Sequence, residues 1–121
     1  MIQKNSYIHI VDNTGILISK CIGIFPSRGK YGQPLSITLA SVQTALPNSK
    51  FKKGMLVKVL LLSTKYVHIR KNGRAIRFSR NLGIVLKDKL VPRGTRFKGV
   101  GLQEVRHAKY GRLAVLLHRK L

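Results

Sequence analysis

Lys50-Phe51-Lys52-Lys53-Gly54-Met55-Leu56-Val57-Lys58-Val59-Leu60-Leu61-Leu62 joins a basic, glycine-closed turn to the densest apolar run in the chain. The run is far shorter than the roughly 18 residues that a membrane span needs, and Lys58 interrupts it. Its length, its valines and the turn ahead of it read as a buried β-strand over Met55–Leu62.

Working outward, the same alternation of short β-branched or apolar runs with turn residues predicts strands at Tyr7–Asp12, Ser19–Phe25, Leu35–Val42, His68–Arg70, Arg74–Ser79 and Leu82–Lys87. Asp12-Asn13-Thr14-Gly15 has the side-chain acceptors and the glycine of a tight turn. Lys71-Asn72-Gly73-Arg74 predicts a two-residue hairpin with a basic tip, Asn-Gly supplying the positive φ angles. Pro26 to Pro34 reads as a loop carrying Arg28, Lys30 and Tyr31. Within Arg74–Ser79, Ile76 and Phe78 fall on one face, and Ala75, Arg77 and Ser79 on the other. After Lys87, a rigid cationic stretch, Val91 to Gly99, leads to short helices expected at Gln103–His107 and Arg112–Arg119. There Leu113, Leu116 and Leu117 have helical spacing and are expected to pack on the barrel or on a neighbour. The expected architecture is mainly β: a small closed barrel with a basic hairpin, in one domain over residues 1–121, about 1–99 forming the barrel and about 100–121 a short helical part.

The chain has 121 residues, with 24 Lys and Arg against three acids, Asp12, Asp88 and Glu104, for a formal charge of +21. A compact fold so charged repels itself, so a polyanion belongs to its working state, and nucleic acid is the natural one. Residues 61–121 hold sixteen of the cations and are expected to supply most of the anion-binding face. Cys21 lies among apolar residues, Cys21-Ile22-Gly23-Ile24, and reads as a small buried hydrophobe. A lone cysteine excludes an internal disulfide and suits a reducing compartment. With strand-like sequence starting at Tyr7, the chain is expected to be soluble and to lack a targeting leader.

Acid-base chemistry has little to draw on, because three acids are scattered through the chain. His9, His68, His107 and His118 share no metal-ligand spacing. Glu104 and His107 are the nearest approach to a catalytic pair, and a charge pair on a basic helix is the simpler reading. Gly99-Val100-Gly101 lacks the third glycine of a dinucleotide fingerprint, and no Gly-Lys-Ser/Thr phosphate loop occurs. No enzyme activity, metal or cofactor is expected.

The basic clusters are Lys50/Lys52/Lys53, Arg70/Lys71/Arg74/Arg77/Arg80, Arg93/Arg96/Lys98 and Arg106/Lys109/Arg112. Any one could be a solvated face. Together, without interleaved acids, they depart from the mixed surface of an ordinary soluble protein and match phosphate binding. Tyr31, Tyr66 and Tyr110 are open to two readings, base stacking or core and rim packing, the latter preferred.

Met1-Ile2-Gln3, Asp12-Asn13-Thr14-Gly15, Lys52-Lys53-Gly54 with Val57-Lys58-Val59, Thr64-Lys65, Gly73-Arg74-Ala75-Ile76-Arg77-Phe78, Asn81 and Pro92-Arg93-Gly94-Thr95-Arg96 follow, in order and spacing, one pattern. Over nearly its whole length the chain resembles the universal large-subunit ribosomal protein L-fourteen family of bacterial and organellar type. The resemblance implies a five-stranded barrel with a small helical C-terminal part, bound to large-subunit rRNA at the face toward the small subunit. It further implies neighbouring proteins of the L-three and L-nineteen types, small-subunit rRNA across the interface, and a ribosome-silencing factor as partners. On this reading Lys52, Lys53, Arg70, Lys71, Arg74, Arg77, Arg80, Arg93, Arg96 and Lys98 are rRNA-binding candidates, and Arg106, Lys109 and Arg112 are intersubunit candidates.

The chain departs from the family pattern at Val100-Gly101, where Pro-Val is usual, at Arg80, where an acid or small residue is typical, and in the basic ending His118-Arg119-Lys120-Leu121. Such drift, with so few acids, suggests an organelle-encoded member, in the mitochondrial matrix rather than a plastid, a bacterial origin staying open. Two rival functions are a free single-strand binder of small-barrel type, which needs aromatics on an open groove, and a small basic nuclease using Glu104 and His107.

Overall fold

The computed structural model describes residues 2–25, 31–87, 91–106, 117 and 119–120. Five strands close a barrel in the order β1 (Tyr7–Ile10), β2 (Ile16–Phe25), β3 (Ile37–Ala45), β4 (Leu56–Ser63) and β7 (Leu82–Leu86). Neighbours are antiparallel except at the closing seam, where β1 runs parallel to β7 with His9 opposite Leu82 and Ile10 opposite Gly83. Register shifts in β2 between Ile16 and Ser19 and between Cys21 and Gly23 bend the longest strand around the barrel.

From Val59 to Leu62 the run is continuously apolar because that part of β4 is covered on both faces. Val57, Val59 and Leu61 point into the barrel with Ile8, Ile10, Ile16, Cys21, Ala40, Val42 and Val85. Leu60 and Leu62 point outward, where Ile84, Leu86, Phe97 and Leu117 form a second apolar cluster. Cys21 is fully buried, as expected of a small hydrophobe. The expected packing of Leu117 on the barrel is present; Leu113 and Leu116 lie outside the described residues.

Two short ribbons stand outside the barrel. One, inserted between β4 and β7, pairs β5 (His68–Ile69) with β6 (Ala75–Ile76). The other pairs β8 (Val100–Gly101) in parallel with β9 (Arg119–Lys120). The helix expected to end at Arg119 therefore gives way to strand at its last residue; the rest of it, apart from Leu117, lies outside the described residues. The helix expected at Gln103–His107 is a single 3-10 turn, Gln103–Arg106.

The strand expected over Arg74–Ser79 shortens to β6, although its alternation holds: Ile76 and Phe78 are half-buried, and Ala75, Arg77 and Ser79 are exposed. The hairpin turn also differs from expectation. Gly73 has φ +85° but Asn72 is not among the positive-φ residues. The Gly73 amide donates to the Arg70 carbonyl (3.0 Å) and the Arg70 amide to the Arg74 carbonyl (2.8 Å). This is a three-residue loop, Lys71-Asn72-Gly73, ending in a left-handed glycine. The Asn72 side chain caps it by accepting from the Arg74 amide at 3.0 Å, so only one residue has to carry positive φ.

Candidate nucleic-acid interface

The Asp12 turn organises the basic surface. One Asp12 oxygen accepts from the amide (3.2 Å) and hydroxyl (2.6 Å) of Thr14, closing the turn. The other accepts from the Val85 amide at 2.9 Å and ties the turn to β7. Asn13 then clamps the following loop: its amide nitrogen donates to the Thr95 hydroxyl and its carbonyl oxygen accepts from the Thr95 amide, both at 2.9 Å. Gly94 lies directly over Asp12, where a Cβ would sit 2.7 Å from the Asp12 Cβ. Only glycine permits that approach, so Asp12-Asn13-Thr14 and Pro92-Arg93-Gly94-Thr95-Arg96 lock together as one unit.

The lock exposes Arg93, Arg96 and Lys98. The Arg93 guanidinium lies 5.2 Å from the centre of the Phe51 ring, which brings it beside the exposed Lys52-Lys53 turn. Cations from two segments distant in sequence thus share one patch. Arg96 and Lys98 instead border a cleft of about 550 Å³ floored by Ile10, Val11, Ile16 and Leu46.

The second basic region is the β5–β6 ribbon with its return to β7. Lys71, Arg74, Arg77 and Arg80 are exposed. Asn81 holds the return in place: its oxygen accepts from the Lys65 amide (2.9 Å) and its nitrogen donates to the Tyr7 carbonyl (3.3 Å). Lys65 and Arg77 flank a cleft of about 510 Å³ with Phe78 and Ser79.

Arg70 is placed differently from its neighbours. Its Nε lies 2.9 Å from Glu104 Oε1 in a partly buried ion pair that braces the ribbon against the 3-10 turn. Glu104 thus forms an ion pair with Arg70 of the ribbon. The catalytic pairing of Glu104 with His107, together with Lys109, Arg112 and Tyr110, falls outside the described residues, as does the Arg106 side chain.

Tyr31 and Tyr66 are both more than half exposed and so do not pack in the core. Tyr7 is equally exposed and has the Lys20 ammonium 5.9 Å from its ring centre. Phe25, at the end of β2, is exposed as well. Burial pushes the Cys21 thiol above its ordinary range, partly offset by the charge of Lys4.

Sequence reasoning missed the Asn13–Thr95 clamp and the Arg93–Phe51 stacking, both made between segments far apart in the chain. Their signal was present only as motifs whose partners the sequence does not name. Residues 1–120 match the family profile described as ribosomal protein L14p/L23e.

Proposed function

The chain belongs to the ribosomal protein L14p/L23e family of structural large-subunit ribosomal proteins, and from that premise we propose how it engages RNA. Lys52, Lys53 and Arg93 contact rRNA phosphates as one patch, and Arg96 and Lys98 as an adjoining one. Lys71, Arg74, Arg77 and Arg80 extend the contact along the ribbon. Arg70 acts through Glu104, holding the ribbon's angle. The observation that carries this reading is the Asp12/Asn13 lock, which fixes the backbone carrying Arg93 and Arg96, with the Arg93 guanidinium held over Phe51, before any RNA arrives. Preorganised guanidinium groups lose less freedom on pairing with phosphate and so retain more of the charge-assisted hydrogen-bond energy.

Arg106, Lys109 and Arg112 are assigned the contact with small-subunit rRNA across the subunit interface. The protein neighbours are of the L-three and L-nineteen types, and a ribosome-silencing factor docks on the exposed surface. The low acid content supports a mitochondrial ribosome over a plastid or bacterial one. The test is co-sedimentation of the tagged chain with large subunits through a high-salt cushion. Retention there is the expected result, and release to the top of the gradient with free RNA-binding proteins refutes the reading.

A further inference from the structure

The outward face of the β5–β6 ribbon carries the most exposed large hydrophobic side chain among the described residues. Ile69 is 72% exposed and Val67 42%. Ile69 pairs with Ala75, which is also exposed, whereas His68 pairs with the half-buried Ile76 on the opposite, inward face. Strand alternation therefore puts Val67, Ile69 and Ala75 on one outward strip, with exposed Lys71 at its tip end and exposed Arg77 at its barrel end. From Lys65 to Lys87 there is no acid at all.

An acid-free strip with a cation at each end selects an anionic occupant with a charged rim and a less polar centre. Aliphatic side chains have no donors or acceptors to read base edges and no π-face on which an unpaired base could stack. They can lie against sugar edges. In an A-form duplex the major groove is deep and narrow, while the minor groove is wide, shallow and lined by riboses between two phosphate rows. Building on the rRNA-binding role proposed above, we infer that this ribbon face seats in the minor groove of a double-helical rRNA segment. Val67, Ile69 and Ala75 cover the riboses there, and Lys71 and Arg77 each meet phosphates of one strand. Recognition is by shape, and the Arg70–Glu104 pair sets the angle of entry.

The experiment uses the full chain assembled into large subunits, with an iron chelate tethered at Tyr66→Cys, an exposed position flanking the strip; native Cys21 is shielded by burial. Hydroxyl radicals released there are expected to cut both strands of one rRNA duplex with the stagger toward the 3′ sides that a minor-groove source produces. A second arm measures binding of Val67→Ser/Ile69→Ser to subunits lacking the protein. Affinity is expected to fall on the order of tenfold with an unchanged salt slope, since apolar cover is lost and no phosphate contact is. Cuts confined to single-stranded RNA, cleavage of a neighbouring ribosomal protein without rRNA cuts, or full affinity of the double variant each overturn the inference while the rRNA-binding role stands. Failure of the wild-type chain to enter large subunits overturns both.

Discussion

Replacing Asp12 tests the lock that supports the basic surface. In Asp12→Ala the Val85 amide, on a residue with no exposed surface, loses its acceptor inside the barrel wall, a penalty of about 1–3 kcal/mol. The two bonds from Thr14 are accessible enough for water to replace, so they add about 1 kcal/mol together. The sum, about 2–4 kcal/mol, corresponds to a fall in Tm of roughly 8–16 °C for a chain of this size. Asp12→Asn keeps one carbonyl acceptor and is expected to lose less than half as much. The assay is thermal unfolding of the RNA-free protein followed by circular dichroism at low and high salt. Removing an acid also raises the self-repulsion of a chain at +21, but that contribution fades with salt, whereas the loss of local hydrogen bonds does not. A Tm for Asp12→Ala within about 2 °C of wild type at high salt refutes the lock as a stabilising element.

Gly73→Val is expected to cost about 1–2 kcal/mol purely from the left-handed backbone at φ +85°, since the site has open space around it; equilibrium urea unfolding measures this, and an unchanged midpoint refutes the turn. Arg93→Ala should lower the slope of log K against log salt for an rRNA fragment by about one unit, with about 0.5–1 kcal/mol of stability lost with the Phe51 contact. Replacing Arg106, Lys109 and Arg112 together by Gln should leave large-subunit assembly intact and weaken subunit joining as salt rises, read from sedimentation profiles; normal joining with defective assembly assigns them to large-subunit rRNA instead. The Cys21 thiol, raised by burial, should react with a disulfide reagent only on unfolding. Its folded value above the unfolded one contributes stability that is complete below the ordinary thiol range and is lost as pH rises from there through the raised folded value, so Cys21→Ala should flatten the alkaline fall in Tm.

The sequence alone determined what depends on local pattern. Val57–Leu62 had to be a buried strand, Ile76 and Phe78 had to turn inward from Arg77, and Cys21 had to lie among apolar neighbours, because side-chain alternation and apolar burial act over a few residues. The charge excess, likewise, needed no coordinates to indicate a polyanion. Only the tertiary structure decided why Leu60 and Leu62 are buried along with Val59 and Leu61, since that follows from Phe97 and Leu117 returning to cover the outer side of β4 there. It alone paired Glu104 with Arg70, withdrawing one arginine from the candidate surface, and brought Arg93 beside Lys52 and Lys53 over Phe51. The physical reason is that hydrogen bonds, ion pairs and ring contacts act over a few ångströms of space, whatever the distance along the chain. Pattern therefore reveals which face a side chain takes, and closure of the barrel decides which side chain it meets.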